Sequence, residues 1–81
     1  MSYIIRYHPA VQDKDVPKID KAVRQRIKSA IELRLTTEPL KFGEPLRRTL
    51  KGYRKFRVGN YKIVYKIEKQ YIFILCIAHR R

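Results

Sequence analysis

The spacing of apolar residues changes midway along this chain, and few small folds accommodate that change. Ile19, Val23, Ile27, Ala30 and Ile31 recur at helical spacing, with Asp20 placed as an N-cap and Lys21, Arg24, Lys28 and Glu32 on the opposite side. After residue 46 the period drops to two, through residues 46–50, 53–58, 61–67 and 71–78, joined at Gly52, Gly59-Asn60 and Glu68-Lys69-Gln70. A helix with one apolar stripe needs a sheet to cover. Four short strands with tight links supply one as an antiparallel meander.

The rest of the chain fits around this pair. Residues 3–7 are β-branched and aromatic and stop at His8-Pro9, which predicts a strand, with His8 read as structural. Pro9 then suits the first position of a short helix over residues 9–16. Thr36-Thr37-Glu38-Pro39 ends the long helix, and Pro39, Gly43 and Pro45 mark an irregular connection. The expected fold is α+β: a short N-terminal strand, two helices, then an antiparallel β-meander packed on the helices, all in one domain over residues 1–81.

A chain of 81 residues buries only about 60% of its unfolded surface, so its core must be well filled. One cysteine forms no internal disulfide, and together with two histidines it makes no zinc spacing. Cys76 lies in the apolar run 71–78 and reads as a buried core thiol rather than a nucleophile. That run is too short to span a bilayer and the N-terminus has no signal-peptide pattern, so a soluble cytoplasmic protein with no membrane partner is expected. The carboxylates Asp13, Asp15, Asp20, Glu32, Glu38, Glu44 and Glu68 are scattered without metal-ligand spacing. Neither a metal nor a cofactor is therefore expected.

Twenty lysines and arginines against seven acids give a formal net charge of +13, which points to a polyanionic partner. Strand alternation sets Tyr53, Lys55 and Arg57 on one face and Arg54, Phe56 and Val58 on the other; it likewise separates Lys62, Val64 and Lys66 from Ile63, Tyr65 and Ile67. With the apolar side against the helices, Lys55, Arg57 and Lys62 converge on the open face across the Gly-Asn hairpin, and His79-Arg80-Arg81 could reach the same place. The plainer reading is a solvated basic edge that discourages aggregation. Cations on adjacent strands next to a basic terminus favour binding or catalysis. Tyr53, Arg54, Tyr61, Lys66 and Arg81 are expected to contact that polyanion around the centre. Tyr53, Tyr61, Tyr65 and Tyr71 amid the cations could stack on unpaired bases, although strand tyrosines more often pack, and Tyr65 is read as core.

Pro39 after the long helix, the run Leu50-Lys51-Gly52-Tyr53-Arg54-Lys55-Phe56-Arg57-Val58-Gly59-Asn60-Tyr61-Lys62-Ile63-Val64-Tyr65 and the terminal Ile77-Ala78-His79-Arg80-Arg81 together resemble the RelE/ParE superfamily of toxins from bacterial and archaeal type II toxin-antitoxin systems. The resemblance implies a RelE-like fold and neutralisation by a cognate antitoxin, in a possible hetero-oligomer. Its RelE-like branch cleaves messenger RNA in the ribosomal A site, and its ParE-like branch poisons DNA gyrase. By resemblance, Lys55 and Arg57 fall on the family's paired basic positions, Lys62 on a position usually held by a phosphate-stabilising arginine, and Arg80 on the C-terminal arginine. RelE-like toxins generally continue into an aromatic tail where this sequence stops at Arg81, so the resemblance implies that either His79 and Tyr53 or Tyr61 take over part of its work, or the nuclease is weakened, or the chain belongs with a non-cleaving branch.

Metal-free RNA cleavage needs the ribose 2′ hydroxyl deprotonated, charge on the phosphorane stabilised and the departing 5′ oxygen protonated. A lysine is a general base only when neutral, a form that crowding by other cations favours, and Lys55 lies between Arg57 and Lys62. Arg57 and Arg80 can bind phosphate oxygens bidentately and Lys62 as a point charge, while an imidazole suits proton donation, which selects His79. The expectation is a ribosome-dependent, metal-free messenger RNA endonuclease with the ribosome, messenger RNA and an antitoxin as partners. A gyrase inhibitor without nuclease activity and a passive RNA-binding domain are the alternatives.

Overall fold

The computed structural model describes residues 3–46 and 52–79. Five strands form one sheet: β1 (Ile4–Tyr7), β2 (Glu44–Pro45), β3 (Tyr53–Val58), β4 (Tyr61–Glu68) and β5 (Tyr71–His79), in spatial order β1-β5-β4-β3-β2. The pairs β2–β3, β3–β4 and β4–β5 are antiparallel, as expected for a meander. β1 joins the far edge parallel to β5, with Arg6 opposite Phe73 and Tyr7 opposite Ile74. The helical segment between β1 and β2 makes this parallel return possible.

Pro9 opens a compact helical segment, continued by a π-type turn over Val11–Asp15 and a 3₁₀ turn over Val16–Lys18. The main helix α1 (Lys21–Ala30) starts where expected: the carboxylate of Asp20 accepts the Ala22 N–H at 3.2 Å. It runs on into a π-type turn over Ile31–Leu35, after which the hydroxyls of Thr36 and Thr37 donate to the carbonyls of Glu32 and Leu33. The expected irregular connection instead contains a one-turn helix, α2 (Pro39–Phe42), because Pro39 is preorganised for a first helical position. A two-residue strand, β2, precedes the strand expected over residues 46–50. Leu46 follows it with its N–H bonded to the Tyr53 carbonyl at 3.0 Å, and residues 47–50 lie outside the described residues.

The helical layer covers one sheet face. Val11, Ile19, Ile27, Ile31 and Leu35 meet Phe56, Val58, Ile63, Tyr65, Ile72, Ile74 and Ile77 in a single buried cluster. Among the described residues, none of the buried set is charged. No helix among them is long and apolar enough to cross a membrane.

β5 departs from simple alternation. Tyr65 pairs with Ile74 but Val64 pairs with Cys76, so Leu75 is an extra residue and the face parity of β5 reverses there. Ile72 and Ile74 point inward before the bulge and Ile77 after it. Cys76 is therefore a half-buried thiol opposite Val64, rather than the fully buried core thiol that uninterrupted alternation predicts.

One polar knot ties the connection onto the sheet. The fully buried Tyr65 donates its hydroxyl to the Pro39 carbonyl at 2.6 Å and accepts from Arg54 Nε at 3.3 Å. Arg54 also donates from Nη2 to the carbonyls of Leu40 and Gly43, at 3.0 and 2.7 Å. The Tyr65 ring runs so close to Gly43 that a Cβ there would collide with the phenol oxygen. Tyr65→Phe should thus cost about 1–3 kcal/mol by leaving Arg54 and the Pro39 carbonyl short of a partner, and Gly43→Ala a similar amount through overpacking. Urea denaturation of both variants checks this.

Candidate functional site

Because β3 and β4 bury Phe56, Val58, Ile63 and Tyr65, their alternate residues are turned to the uncovered face. The ladder then aligns Arg57 with Lys62 and Ala78 in one row, Lys55 with Val64 and Cys76 in the next, and Tyr53 with Lys66 and Phe73 in a third. Gly59, at φ 57°, makes the tight hairpin that sets Arg57 across from Lys62. Like charges directly opposite on a sheet repel, and an anion placed between them removes the penalty.

Lys55, Arg57 and Lys62 line one cleft of about 400 Å³, together with Lys41, Phe42, Gly43 and Glu44 from α2 and β2. Glu44 pairs with Lys55 in the β2–β3 ladder, and their side chains form an ion pair at 3.4 Å. The sequence reading missed this partner, although Glu44 is one residue from Pro45 in the connection and was open to notice as an acid beside a cationic strand. Among the described residues, neither Arg57 nor Lys62 has an ion-pair partner. Of the four cations along the cleft, Arg57 and Lys62 are thus uncommitted, while Lys55 is held by Glu44 and Lys41 by Glu38 at 3.8 Å.

Lys66 and Tyr53 share the open face, with the Lys66 ammonium 5.5 Å from the centre of the Tyr53 ring. Glu68 accepts from Lys66 Nζ at 2.7 Å, and this hydrogen bond, reinforced by the carboxylate's charge, raises the lysine's pKa above its ordinary value.

Three expected site residues lie elsewhere. Arg54 is on the helix-facing side, where parity already put it, and its guanidinium is spent on Tyr65 and two backbone carbonyls. Tyr61 pairs with Val58 and packs against the core. His79 pairs with Tyr61, with the rings edge to face at 5.1 Å, so it belongs to the helix-facing parity and not to the Arg57–Lys62 row. The bulge at Leu75 is the reason: with unbroken alternation His79 would share a face with Tyr71 and Phe73. Arg80 and Arg81 lie outside the described residues.

Among the described residues, no three His, Cys, Asp or Glu side chains gather as metal ligands. Burial, with the nearby Asp15 carboxylate adding to it, raises the Cys76 thiol above its ordinary pKa, and Lys62 offsets this only in part. A raised pKa means less thiolate at a given pH. Iodoacetamide should therefore alkylate Cys76 more slowly than an exposed cysteine at pH 7.5, and the rate should climb only above the usual thiol range; fast labelling at neutral pH contradicts this environment.

Comparison with known proteins agrees with this architecture. The profile of the ParE toxin of type II toxin-antitoxin systems matches residues 3–81. Toxin RelG of Mycobacterium tuberculosis is 30% identical over 82 residues, covering 99% of this chain and 93% of the relative. The toxin in the crystal structure of the RelBE2 toxin-antitoxin complex from the same organism superposes with a TM-score of 0.85 at 29% identity, over 99% of this chain and 100% of that one. The isolated E. coli RelE toxin superposes with a TM-score of 0.79 over 99% of this chain and 86% of its own, and at 17% identity it speaks to fold alone. On the match to the family profile and the identity to RelG, this chain belongs to the ParE toxin family within the RelE/ParE superfamily, and it is a toxin of a type II toxin-antitoxin system.

Proposed function

We propose that this toxin is a metal-independent endoribonuclease that cuts messenger RNA on the ribosome, in the cytoplasm, and that a cognate antitoxin holds it inactive. The observation that carries the reading is the shared cleft of Lys55, Arg57 and Lys62, two of them uncommitted cations that face each other across a hairpin. Such an arrangement is ready to accept a phosphodiester. A pure solubility device gains nothing from placing like charges in register.

In this reading Lys55 takes the proton of the ribose 2′ hydroxyl once its own ammonium has given up a proton and left the Glu44 ion pair. The 2′ oxygen then attacks the adjacent phosphorus and forms the cyclic phosphate. The Glu44 carboxylate, 3.4 Å from Lys55 Nζ, stabilises the ammonium so produced. Arg57 grips two phosphate oxygens, and its charge counts most as negative charge builds on them. The 5′ oxygen leaves with a proton, which Lys62 carries on the same face. His79, on the other parity, takes no part in that step. The antitoxin partner is inferred from the RelBE2 complex of the M. tuberculosis relative, and an acidic segment laid across the cleft would neutralise the cations.

A second reading rests on the family profile, which is the ParE one: a toxin that inhibits DNA gyrase by binding it, with no nuclease step. Purified protein added to ribosomes programmed with a defined message separates the two. Nuclease action should give new RNA ends carrying cyclic phosphate, unaffected by EDTA, and Lys55→Ala or Arg57→Ala should each slow cleavage about 100-fold or more with the fold retained. Intact message together with arrested gyrase supercoiling would overturn the nuclease in favour of the second reading.

A further inference from the structure

The open face carries a second pattern that the cleft does not use. One row of the ladder crosses four strands: Tyr53 on β3 opposes Lys66 on β4, Lys66 opposes Phe73 on β5, and Phe73 opposes Arg6 on β1. Aromatic rings and cations alternate along it. Tyr71, one step along β5 on the same face, stacks on Phe73 with centroids 5.9 Å apart and planes 30° apart. The Arg6 guanidinium sits 5.6 Å over the Tyr71 ring. Arg6, Tyr71 and Phe73 line a groove of about 400 Å³ at the β1–β5 side of the sheet.

We propose that this transverse row, with Tyr71 beside it, is a base-stacking platform for single-stranded RNA leading away from the cleft. Strand aromatics often serve only to pack a sheet, but these lie outside the core cluster, on the face that no helix covers. A ring accepts the flat face of any base, and Arg6, which has no ion-pair partner among the described residues, neutralises the phosphate that comes with it; Lys66 is already paired with Glu68, opposite Tyr71. A duplex keeps its bases stacked on one another and offers none to the rings. An acidic peptide would find the cations but would have no use for alternating flat rings, and the chain's +13 charge favours a polyanion along the whole face. Tyr53 lies four residues from Arg57 along β3, about 13 Å at 3.3 Å per residue, so RNA held at both places meets the platform a few nucleotides from the phosphate in the cleft.

The platform rests on the RNA-cleaving reading but is tested apart from it. Fluorescence anisotropy of a labelled oligouridylate methylated at its 2′ hydroxyls reads binding without cleavage. Phe73→Leu and Tyr71→Leu, which keep apolar bulk and lose the ring, should each weaken binding about 5- to 100-fold without changing its salt dependence. Arg6→Gln should flatten the log–log salt slope by about 0.7. An abasic ribose-phosphate strand of equal length should bind wild type and Phe73→Leu alike.

The platform is overturned if wild type does not bind the oligouridylate, or if folded Phe73→Leu and Tyr71→Leu bind it as wild type does. It is also overturned if they lose the abasic strand equally, or if only their affinity for a glutamate-rich peptide falls, which would make the row a protein interface. Ring-dependent binding with no cleavage of ribosome-bound message would sink the nuclease and leave the platform standing. Cleavage with ring-independent binding would do the reverse.

Discussion

Everything on the functional side of this molecule follows from the burial of one sheet face under the helical layer. Phe56, Ile63, Tyr65, Ile72, Ile74 and Ile77 are held against Ile27, Ile31 and Leu35, and each such side chain contributes about 1.5–3 kcal/mol when fully removed from water. A register slip of one residue in β3 and β4 would turn Phe56, Ile63 and Tyr65 out and bring Lys55, Arg57, Lys62 and Lys66 in, at the cost of burying four charges. Hydrophobic burial thus dictates where the cations stand. Their mutual repulsion is tolerated because the core outweighs it.

The knot of Tyr65 and Arg54 carries that order to the edge of the sheet. Arg54 lies between the open-face residues Tyr53 and Lys55 in sequence, yet it faces the helices and fastens the α2 connection by its carbonyls. That fastening places Lys41 and Glu44 along the cleft wall, and Glu44 opposite Lys55. A residue that looks from its charge like part of the binding surface therefore acts from the opposite face, by shaping the cleft rather than touching what enters it.

The main helix with its Asp20 cap, the Gly59-Asn60 hairpin, the core role of Tyr65 and the shared face of Lys55, Arg57 and Lys62 were all legible, since each follows from a local period or a turn residue. Three features were not. The parallel docking of β1 beside β5 is a long-range choice with no local mark in residues 3–7. The bulge at Leu75 sits in an unbroken apolar run, where any residue could be the extra one, and it moves both Cys76 and His79 to faces that simple alternation denies them. The turn of α2 hid behind Pro39 and Gly43, which read as breakers although Pro39 starts a helix as readily as it stops one. Arg54 is a different case: alternation put it with Phe56 and Val58 on the helix-facing side, and its charge was allowed to outweigh that placement.

The most direct measurement is an NMR titration that follows lysine Nζ and arginine Nε resonances as a short oligouridylate, blocked at its 2′ hydroxyls, is added. The account predicts the largest changes at Lys55, Arg57 and Lys62, with Arg54 and the α1 cations Lys21, Arg24 and Lys28 unmoved. Changes concentrated on α1 with the cleft undisturbed would contradict it, because the phosphates would then be bound on the side of the molecule that the cations of the sheet do not face.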